Sequence, residues 1–460
     1  LGCVAPTNNM AGKIALIFRG DCEFGAKALV AQNQGAIAVI IVNNVSGGPV
    51  GMGVGAVGAS VTIPVMMISL EDGLAINSKL IAGETVKISI TTWGSGKTHD
   101  LGVLYNGLSM FHAFAVPHSQ IVTGNGNPVA YKGYDGAFIA NFGTSNETSV
   151  KLKAVTTFTP SESTVATTVR MDSTTFSAFP ASDSILAVGM SNSYDVHSTQ
   201  KGRFDVIYSL SANLADEFIG NNTASYSYHI TDNVFSKSRY DFTKNQPIAN
   251  IYYRVGGTDP FMGGNLYYVA KGGYGALNAK FSISKSGDTL LNGSFVEMLL
   301  YKWKDTVVAD SMVEVGEMEL VGLGGVSFGP TDIGGQFYTA DFQKVDAFGG
   351  PIGGTVELED NSWYYVAAVV PGDCFLGMDG ILNYYPRTYL RHNAGSTPYT
   401  EFSSFLYPGD RAILDNDISN TPNLVNTMFF FEVGGVTTDE AIDSARFAQQ
   451  KTGFIPSISL

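Results

Sequence analysis

Positive charge is scarce in this sequence. Its 460 residues include 27 Lys and Arg against 41 Asp and Glu, giving a formal net charge of -14 and a pI near 4.8. We expect no nucleic-acid partner, because neutralising phosphates requires clustered Lys and Arg. The same sign of charge disfavours anionic membrane surfaces. An acidic surface suits a protein that stays in solution outside a cell.

Long apolar runs are also missing. No stretch approaches the ~20 apolar residues that a membrane-spanning helix requires, so we expect no transmembrane segment. Gly is abundant instead, with 53 residues, alongside 22 Tyr and 28 Phe. This composition favours strands joined by tight turns. The length predicts three or four domains of ~100–200 residues each.

Catalytic motifs are few. None of the six His lies in a His-Glu-x-x-His frame, and no Walker-type loop is present. His112 and His118 are spaced so that a helix would not place both rings on one face. His99 and Asp100 are candidate parts of a triad, but they follow a flexible linker at 94–98 that would preorganise a base poorly. We therefore predict no catalytic residues, no cofactor and no metal ligands.

Two acidic stretches offer the hard oxygen atoms that Ca²⁺ prefers. These are Asp415-Asn416-Asp417 and Glu359-Asp360-Asn361. The first lacks the later Gly and Glu of an EF-hand loop. A solvated turn is the favoured interpretation for both stretches.

The first 93 residues have an α/β pattern, in contrast to the rest of the chain. Continuous apolar runs predict buried strands, an apolar helical face followed by Gly35 predicts the first helix, and a capping-box-like start at Ser69 and Asp72 predicts the second. The predicted strands are 14–18, 38–42, 64–68 and, with half-exposed alternation, 86–90; the predicted helices are 24–34 and 70–83.

Motifs in this region closely resemble the protease-associated domain. They are Gly12-Lys13-Ile14, Arg19-Gly20-Asp21-Cys22-Glu23-Phe24, Lys27, Gly35-Ala36, Asn43-Asn44, Ile63-Pro64-Val65 and Asp72-Gly73. The resemblance runs through residues 1–92 and implies a truncated domain whose first strands precede Leu1. In secreted enzymes such domains are non-catalytic appendages that contribute to substrate access or protein contacts.

Three cysteines occur, Cys3, Cys22 and Cys374, so an odd number must leave one unpaired. From the count alone, three buried thiols remain an alternative. The family resemblance favours a Cys3–Cys22 disulfide, which implies an oxidising compartment and about 3 kcal/mol of stabilisation. Cys374 is predicted to be a buried structural thiol.

The remaining sequence is predicted to be β-structured. Short alternating strands at 100–245 favour an antiparallel immunoglobulin-like sandwich, and larger strands at 246–400 favour a second sandwich of jelly-roll type. Residues 401–460 are interpreted as a C-terminal β extension and tail. The predicted fold class is thus mainly β and multidomain, with a truncated α/β protease-associated domain followed by two or more antiparallel β-sandwich domains.

Paired tyrosines mark several predicted strands and are candidates for stacking on sugars or anchoring a protein. Alternation along a strand predicts that one ring of each pair lies in the core and the other outside. The pairs are Tyr252-Tyr253, Tyr267-Tyr268, Tyr364-Tyr365 and Tyr384-Tyr385.

A short motif, Asp followed by Ser or Thr and a small or aliphatic residue, resembles the O-glycosylation motif of extracytoplasmic Bacteroidota proteins. It predicts modification at Ser173, Ser184, Thr289, Thr306, Ser311 and Ser444. Residues 453–460 resemble the connector that precedes a sorting domain in type IX secretion cargo, with an ordinary frayed tail as the alternative.

These features predict a non-catalytic secreted or cell-surface protein, either an adhesin or a subunit of an extracellular assembly. Its expected partners are proteins or glycans at the cell surface, including other copies of the chain that pair through exposed strand edges. The alternative is the accessory region of a secreted peptidase whose catalytic domain precedes Leu1.

Overall fold

The computed structural model describes most of the chain. The described residues are 2–5, 8–44, 49–88, 90, 96–108, 110–111, 113–121, 132–181, 184–196, 200–254, 260–285, 290–303, 318–379, 428–432, 448–449 and 455–460. The chain divides into two units, Leu1–Thr92 and Trp93–Leu460. Within the described ranges, the structure contains no helix with both the length and the apolar character needed to cross a membrane.

Unit 1 is built around a parallel sheet. Its elements are β1 (Ile14–Phe18), α1 (Phe24–Asn33), β2 (Ala38–Val42), a 3-10 turn (Gly58–Ser60), β3 (Val65–Ile68) and α2 (Leu70–Ile81). The strands pair in the order β1-β2-β3. All five residues of the central strand β2 are buried, as its continuous apolar run predicts.

The helices of unit 1 begin where the sequence predicts and end one and two residues before the predicted positions, at Asn33 and Ile81. Ser69 caps α2, since its side chain accepts the backbone N–H of Asp72, and Gly83 follows the helix with a positive φ of 79°. Gly35 ends α1 in the same way, with φ 84°. The predicted strand at 86–90 is wrong, because residues 84–88 and 90 form neither strand nor helix.

Unit 2 begins with a series of mostly antiparallel strands. Its elements in chain order are β4 (Leu101–Leu108), β5 (Ala115–Pro117), α3 (His118–Ile121), β6 (Lys132–Asn141), β7 (Glu147–Pro160), β8 (Thr167–Phe179), β9 (Ser184–Asp195), β10 (Gly202–Ser211), a 3-10 turn (Ile219–Asn221), β11 (Thr223–Thr231), β12 (Tyr240–Asp241) and β13 (Gln246–Pro247). Strands β4-β6-β9 form one sheet, and β5-β11-β10-β7-β8 form another. Small β12 and β13 pair with each other.

A second set of sheets follows. Its strands are β14 (Ile251–Tyr253), β15 (Phe261–Val269), β16 (Tyr274–Ala276), β17 (Asn278–Lys285), β18 (Phe295–Trp303), β19 (Met318–Ser327), β20 (Phe337–Asp341), β21 (Gln343–Lys344), β22 (Val356–Leu358), β23 (Ser362–Val370), β24 (Cys374–Asp379), β25 (Met428–Glu432), β26 (Ala448–Gln449) and β27 (Ile455–Pro456). The larger sheet has the order β21-β19-β18-β23-β15-β25-β26. The smaller has the order β14-β24-β17-β20, with β27 paired to β24, and β16 pairs with β22.

Most buried apolar residues described in unit 2 belong to one continuous cluster. It includes Val206 and Tyr228 from the first set of sheets and Phe281, Val366 and Leu376 from the second. The mainly β fold class is confirmed. The division of this region into sandwiches at 100–245 and 246–400, with an extension at 401–460, stays a prediction.

The last six residues are built into unit 2. Ile455 and Pro456 pair with β24, and the carbonyl of Ile458 accepts a hydrogen bond of 2.7 Å from the hydroxyl of Tyr267. Leu460 exchanges two backbone hydrogen bonds with Phe235, each 2.8 Å long. These residues are therefore part of the fold, whereas the sequence offered a connector or a frayed tail.

Buried ion pairs tie distant strands of unit 2 together. Arg239 donates to both carboxylate oxygens of fully buried Asp379, at 2.9 and 2.7 Å. Arg170 on β8 pairs with Asp135 on β6 and lies over the ring of Tyr194. Such pairs add directionality to an apolar core and are costly to break from one side.

Candidate functional site

The first family motif of unit 1 lies at the carboxyl end of the parallel sheet. Gly20 and Asp21 both have positive φ, 127° and 64°, so the chain turns sharply after β1. The turn brings Cys22 to Cys3, and the two form a disulfide. Arg19 donates to the side chain of buried Asn43, 2.9 Å away at the end of β2. The motif residues thus fix the loops at one edge of the sheet.

Lys27 is an unexpected core residue beside this disulfide. Its side chain is fully buried on α1, and its Nζ lies 3.8 Å from the sulfur of Cys3. Desolvation lowers the pKa of Lys27, and the charge of Asp21 partly opposes that effect. The sequence motif contains this Lys, but periodicity alone gave no sign that it would be buried.

The loop that precedes β3 is held rigidly against α1. Glu23 accepts the backbone N–H of Ala56 at 2.8 Å, and Gln32 both accepts from Thr62 and donates to Ser60. A side chain at Gly25 would collide with the loop backbone, because a Cβ there would lie 2.3 Å from a carbonyl oxygen. Glycine therefore permits the close contact between helix and loop.

This fixed loop displays apolar side chains to solvent. Val54 is 63% exposed, and Val50 and Val57 are each 36% exposed. We call these three residues the valine surface. Rigid exposed apolar side chains are a common feature of protein-binding surfaces, since a partner that covers them gains buried area at little conformational cost.

A second candidate lies in unit 2, in a cavity of about 330 Å³ that we call the end cavity; its polar lining includes His99, Asp100, Glu147, Asp216 and Asn222. His99 hydrogen-bonds through Nδ1 to Glu147 at 2.6 Å, while Asp100 accepts from the amide of Asn221 at 2.9 Å. His99 and Asp100 are therefore not hydrogen-bonded as a catalytic pair. Both belong to a polar network that joins strand ends.

Backbone donors surround the other carboxylates of this region. Asp216 accepts from the N–H groups of Leu101 and Phe218, each at 2.7 Å. Glu217 accepts from the N–H groups of His99 and Thr98, and these bonds lower the pKa of Glu217. The sequence suggested a flexible linker here, yet residues 98–101 are anchored by side chains more than a hundred positions away.

The tyrosine pairs of β15 and β23 do not form an exposed binding surface. Tyr267, Tyr364 and Tyr365 are at most 1% exposed and Tyr268 is 8% exposed. The prediction that one ring of each pair faces outward is wrong for these two pairs, because strands β15 and β23 are central in their sheet and covered on both faces. Tyr252 and Tyr253 are half-buried, and Tyr384-Tyr385 lie outside the described residues.

Most predicted glycosylation positions are not described. Ser173 is exposed on β8, and Ser184 begins β9. Thr289, Thr306, Ser311 and Ser444 fall outside the described residues. Modification at all six positions stays a prediction.

Of the two acidic stretches considered for calcium, only Glu359-Asp360-Asn361 lies within the described residues. Asp415-Asn416-Asp417 lie outside the described residues, as does His112. Asp360 accepts the N–H of Gly272, and Asn361 accepts the hydroxyl of Tyr268, so both side chains serve a turn. In the part of the chain that is described, no three His, Cys, Asp or Glu side chains are grouped to hold a metal ion.

One motif escaped the sequence analysis. Gly325-Val326-Ser327-Phe328-Gly329 fits the Gly-x-Ser-x-Gly spacing of a nucleophile elbow. In the structure Ser327 is the last residue of β19, and the chain continues into a turn in which Gly329 donates to Asp332. No helix follows, so the strand–turn–helix context that activates such a serine is absent at this position.

The comparisons with known proteins concern unit 1. The sequence profile of the PA domain family, the protease-associated domain, matches residues 1–76. The probable leucine aminopeptidase 2 of Aspergillus fumigatus is 39% identical over 88 residues, which make up 18% of this chain and 17% of that protein. Its counterpart in Aspergillus oryzae is 37% identical over 101 residues, 21% of this chain and 20% of that protein. The N-terminal region is therefore a protease-associated domain.

A third relative widens the range of proteins that share this region. The minor extracellular protease Vpr of Bacillus subtilis is 38% identical over 77 residues, covering 17% of this chain and 9% of that protein. The chain thus spans a fifth or less of the length of these three curated relatives. A solved tandem CBM22 domain of Paenibacillus barcinonensis Xyn10C aligns with 62% of this chain and 96% of that chain, but at 8% identity and a TM-score of 0.16 it carries no argument about unit 2.

Proposed function

We propose that this chain is the non-catalytic part of a secreted or cell-surface protein, and that its protease-associated domain binds a protein partner. The valine surface is the observation that carries this proposal. Val54 and Val57 are exposed on a loop that Glu23 and Gln32 immobilise. Binding there requires little loop ordering, so the apolar area that a partner covers converts efficiently into affinity.

The wider proposal is a surface adhesin or a subunit of an extracellular assembly. The acidic composition favours an extracellular location, and the strand-rich unit 2 offers sheet edges for pairing between copies. Proteins, glycans and other copies of the chain are the proposed partners. Type IX export and O-glycosylation belong to the same proposal and are tested by the intact mass of the mature protein.

A binding experiment tests the valine surface. The full chain is immobilised and exposed to unfolded casein, a glycan array and soluble copies of itself. The double variant Val54→Asp/Val57→Asp is expected to weaken binding of the protein partner at least roughly tenfold, because charge replaces buried apolar area. Val169→Asp, on the exposed face of β8 where Val169 is 52% exposed, is the matched control. A strictly monomeric chain that binds none of these probes would count against the proposal.

The comparisons favour a second candidate, the accessory region of a secreted peptidase. The matched relatives carry the names of two leucine aminopeptidases and an extracellular protease. The test is the complete reading frame together with the activity of the mature protein on casein. Hydrolysis blocked by a chelator or a serine reagent would support this candidate, and a mature protein without hydrolytic activity would exclude it.

A further inference from the structure

The end cavity lies where strands from two sheets begin. Asp100 immediately precedes β4 of the three-stranded sheet, while Glu147 begins β7 and Asn222 precedes β11, both in the five-stranded sheet. Asp100, Glu147 and Asn222 all line the cavity. Anything bound among these residues would therefore connect the two sheets.

Three buried oxygen atoms here have no hydrogen-bond donor among the described residues. They are Oδ2 of Asp100, Oδ1 of Asn221 and Oδ1 of Asn222. Asp100 is only 1% exposed, and its other oxygen accepts from the amide nitrogen of Asn221. An unsatisfied buried polar atom costs about 1–3 kcal/mol, so three of them on two cavity-lining residues, Asp100 and Asn222, and on the hydrogen-bonded neighbour Asn221 call for a physical explanation.

The three atoms share one property: each is an acceptor. A missing donor or a cation would satisfy them all, whereas an anion or an apolar ligand would satisfy none. The surroundings are also negatively charged, since Glu147 and Asp216 line the cavity with Asp100, and Glu217 lies beside it, while the cationic groups nearby are His99 and Lys97. This field favours a cation over a neutral donor.

The neighbouring carboxylates already accept hydrogen bonds from protein groups. Glu147 is bonded to His99, and Asp216 and Glu217 accept backbone N–H groups. Asp100 is the one of the four with a buried oxygen that has no donor among the described residues. This agrees with the finding that no three acidic, His or Cys side chains in the described chain are grouped around a metal position, because the other two oxygens come from amides.

We propose that the end cavity binds Ca²⁺ through Oδ2 of Asp100 and the side-chain oxygens of Asn221 and Asn222, with water completing the coordination. An all-oxygen set that includes neutral amides fits Ca²⁺, which accepts six to eight oxygen ligands in flexible geometry. Zn²⁺ prefers nitrogen and sulfur, and Mg²⁺ gives up its water reluctantly. A single carboxylate ligand implies weak affinity, with a dissociation constant of about 10⁻⁴–10⁻³ M, the range of extracellular modules.

Such an ion would hold in place the residues at the start of β4, the first strand of unit 2. Asn221 and Asn222 precede β11, and Asp100 precedes β4, so the ion would bridge two strand ends from different sheets. Ca²⁺ binds the folded state and not the unfolded chain, so it would raise the melting temperature of unit 2. The protein would then be more rigid in calcium-rich extracellular fluid than in a chelating buffer.

Calorimetric titration of the full chain with CaCl₂ tests the proposal, together with thermal unfolding in CaCl₂, MgCl₂ and EDTA. Asn222→Leu is the decisive variant, since it removes an oxygen that has no hydrogen-bond partner in the described part of the chain. Its melting temperature in EDTA is expected to equal or exceed that of the wild type, while its Ca²⁺ affinity falls at least about tenfold. Asp100→Asn is expected to lose the same affinity.

Matched controls use exposed residues of the same types in unit 2. Asn233→Leu and Asp232→Asn are expected to keep the wild-type affinity, since both side chains are exposed and belong to another turn. Identical melting temperatures of the wild type in CaCl₂ and EDTA would overturn the proposal. So would Ca²⁺ binding that Asn222→Leu and Asp100→Asn leave unchanged, because the ion would then lie elsewhere.

Discussion

The two units of this chain are stabilised in different ways. Unit 1 has eight buried residues in its apolar cluster and a disulfide between Cys3 and Cys22. Unit 2 has a far larger continuous cluster, and its Cys374 is a buried free thiol. A small core cannot by itself offset the loss of chain entropy, so a covalent link adds what packing lacks. Unit 2, with its large core, is stabilised instead by packing and by buried ion pairs. Substitutions made in each unit separately test this contrast.

The largest effect is expected from breaking the buried pair in unit 2. Asp379→Ala leaves the guanidinium of Arg239 without its carboxylate, and we expect the free energy of unfolding of unit 2 to fall by about 3–5 kcal/mol. Urea unfolding followed by circular dichroism measures this loss. Asp232→Ala, which removes an exposed partner of Lys201, should cost no more than about 1 kcal/mol. An equal loss in the two variants would contradict the role given to buried pairs.

Removing the disulfide should affect unit 1 alone. Cys3→Ser/Cys22→Ser opens a loop of sequence separation 19, and we expect unit 1 to lose about 3 kcal/mol of unfolding free energy. Scanning calorimetry should show the transition of unit 1 moving to lower temperature while that of unit 2 stays in place. Cys374→Ser is the control and should leave unit 1 unchanged. A reductant that lowers the transition of unit 2 instead would refute the assignment.

Acid should weaken unit 2 through His229 on β11. Burial, helped by the charge of Arg203 opposite it and resisted by Asp205, lowers the pKa of His229 to about 4. Between pH 6.5 and about 4 the unfolded chain therefore binds a proton at His229 that the folded chain does not bind. The free energy of unfolding is highest above this range and decreases as the pH falls through it. At pH 5 the loss amounts to about 2 kcal/mol.

His229→Gln removes this titration. The variant should lose less stability than the wild type between pH 7 and 5, which chemical denaturation at several pH values measures. His118→Gln is the control, because His118 lies on α3 and lines no part of the β10–β11 pairing. Parallel pH profiles for the wild type and His229→Gln would show that another group causes the acid sensitivity.

The smallest expected effect concerns Lys27 in unit 1. Since burial lowers its pKa below 10.5, the folded state releases its proton first, and unit 1 gains stability as the pH rises toward 10.5. Lys27→Met lacks this gain, so its stability relative to the wild type should decline as the pH rises toward 10.5. Lys13→Met, at an exposed position, is the control. A pH-independent difference between Lys27→Met and the wild type would contradict the prediction.

Local signals predicted much of unit 1 and many strands of unit 2. The buried run at 38–42 and the Ser69 cap appear as expected, because neighbouring residues determine them. Prediction failed where contacts between residues far apart in sequence determine the local structure. Alternation at 86–90 did not produce a strand, and Tyr267-Tyr268 are both buried because their strand is covered on both faces.

The end cavity could not be predicted from sequence. Asp100, Glu147 and Asn222 are separated by long stretches of chain, and only the meeting of two sheets brings them together. The overlooked Gly-x-Ser-x-Gly spacing at Ser327 illustrates the converse. A local motif is present there, but the turn that follows β19 does not lead into a helix, so the strand–turn–helix context is missing.

The position of the last six residues has a consequence for the order of folding. Unit 1 can close its sheet once Ile68 has been synthesised, because its three strands are neighbours in sequence. Unit 2 cannot complete its pairing this early, because Phe235 hydrogen-bonds to Leu460 and β24 pairs with Ile455 and Pro456. Synthesis therefore leaves the apolar surface of unit 2 incomplete until residues 455–460 emerge, and folding catalysts have that whole interval in which to act.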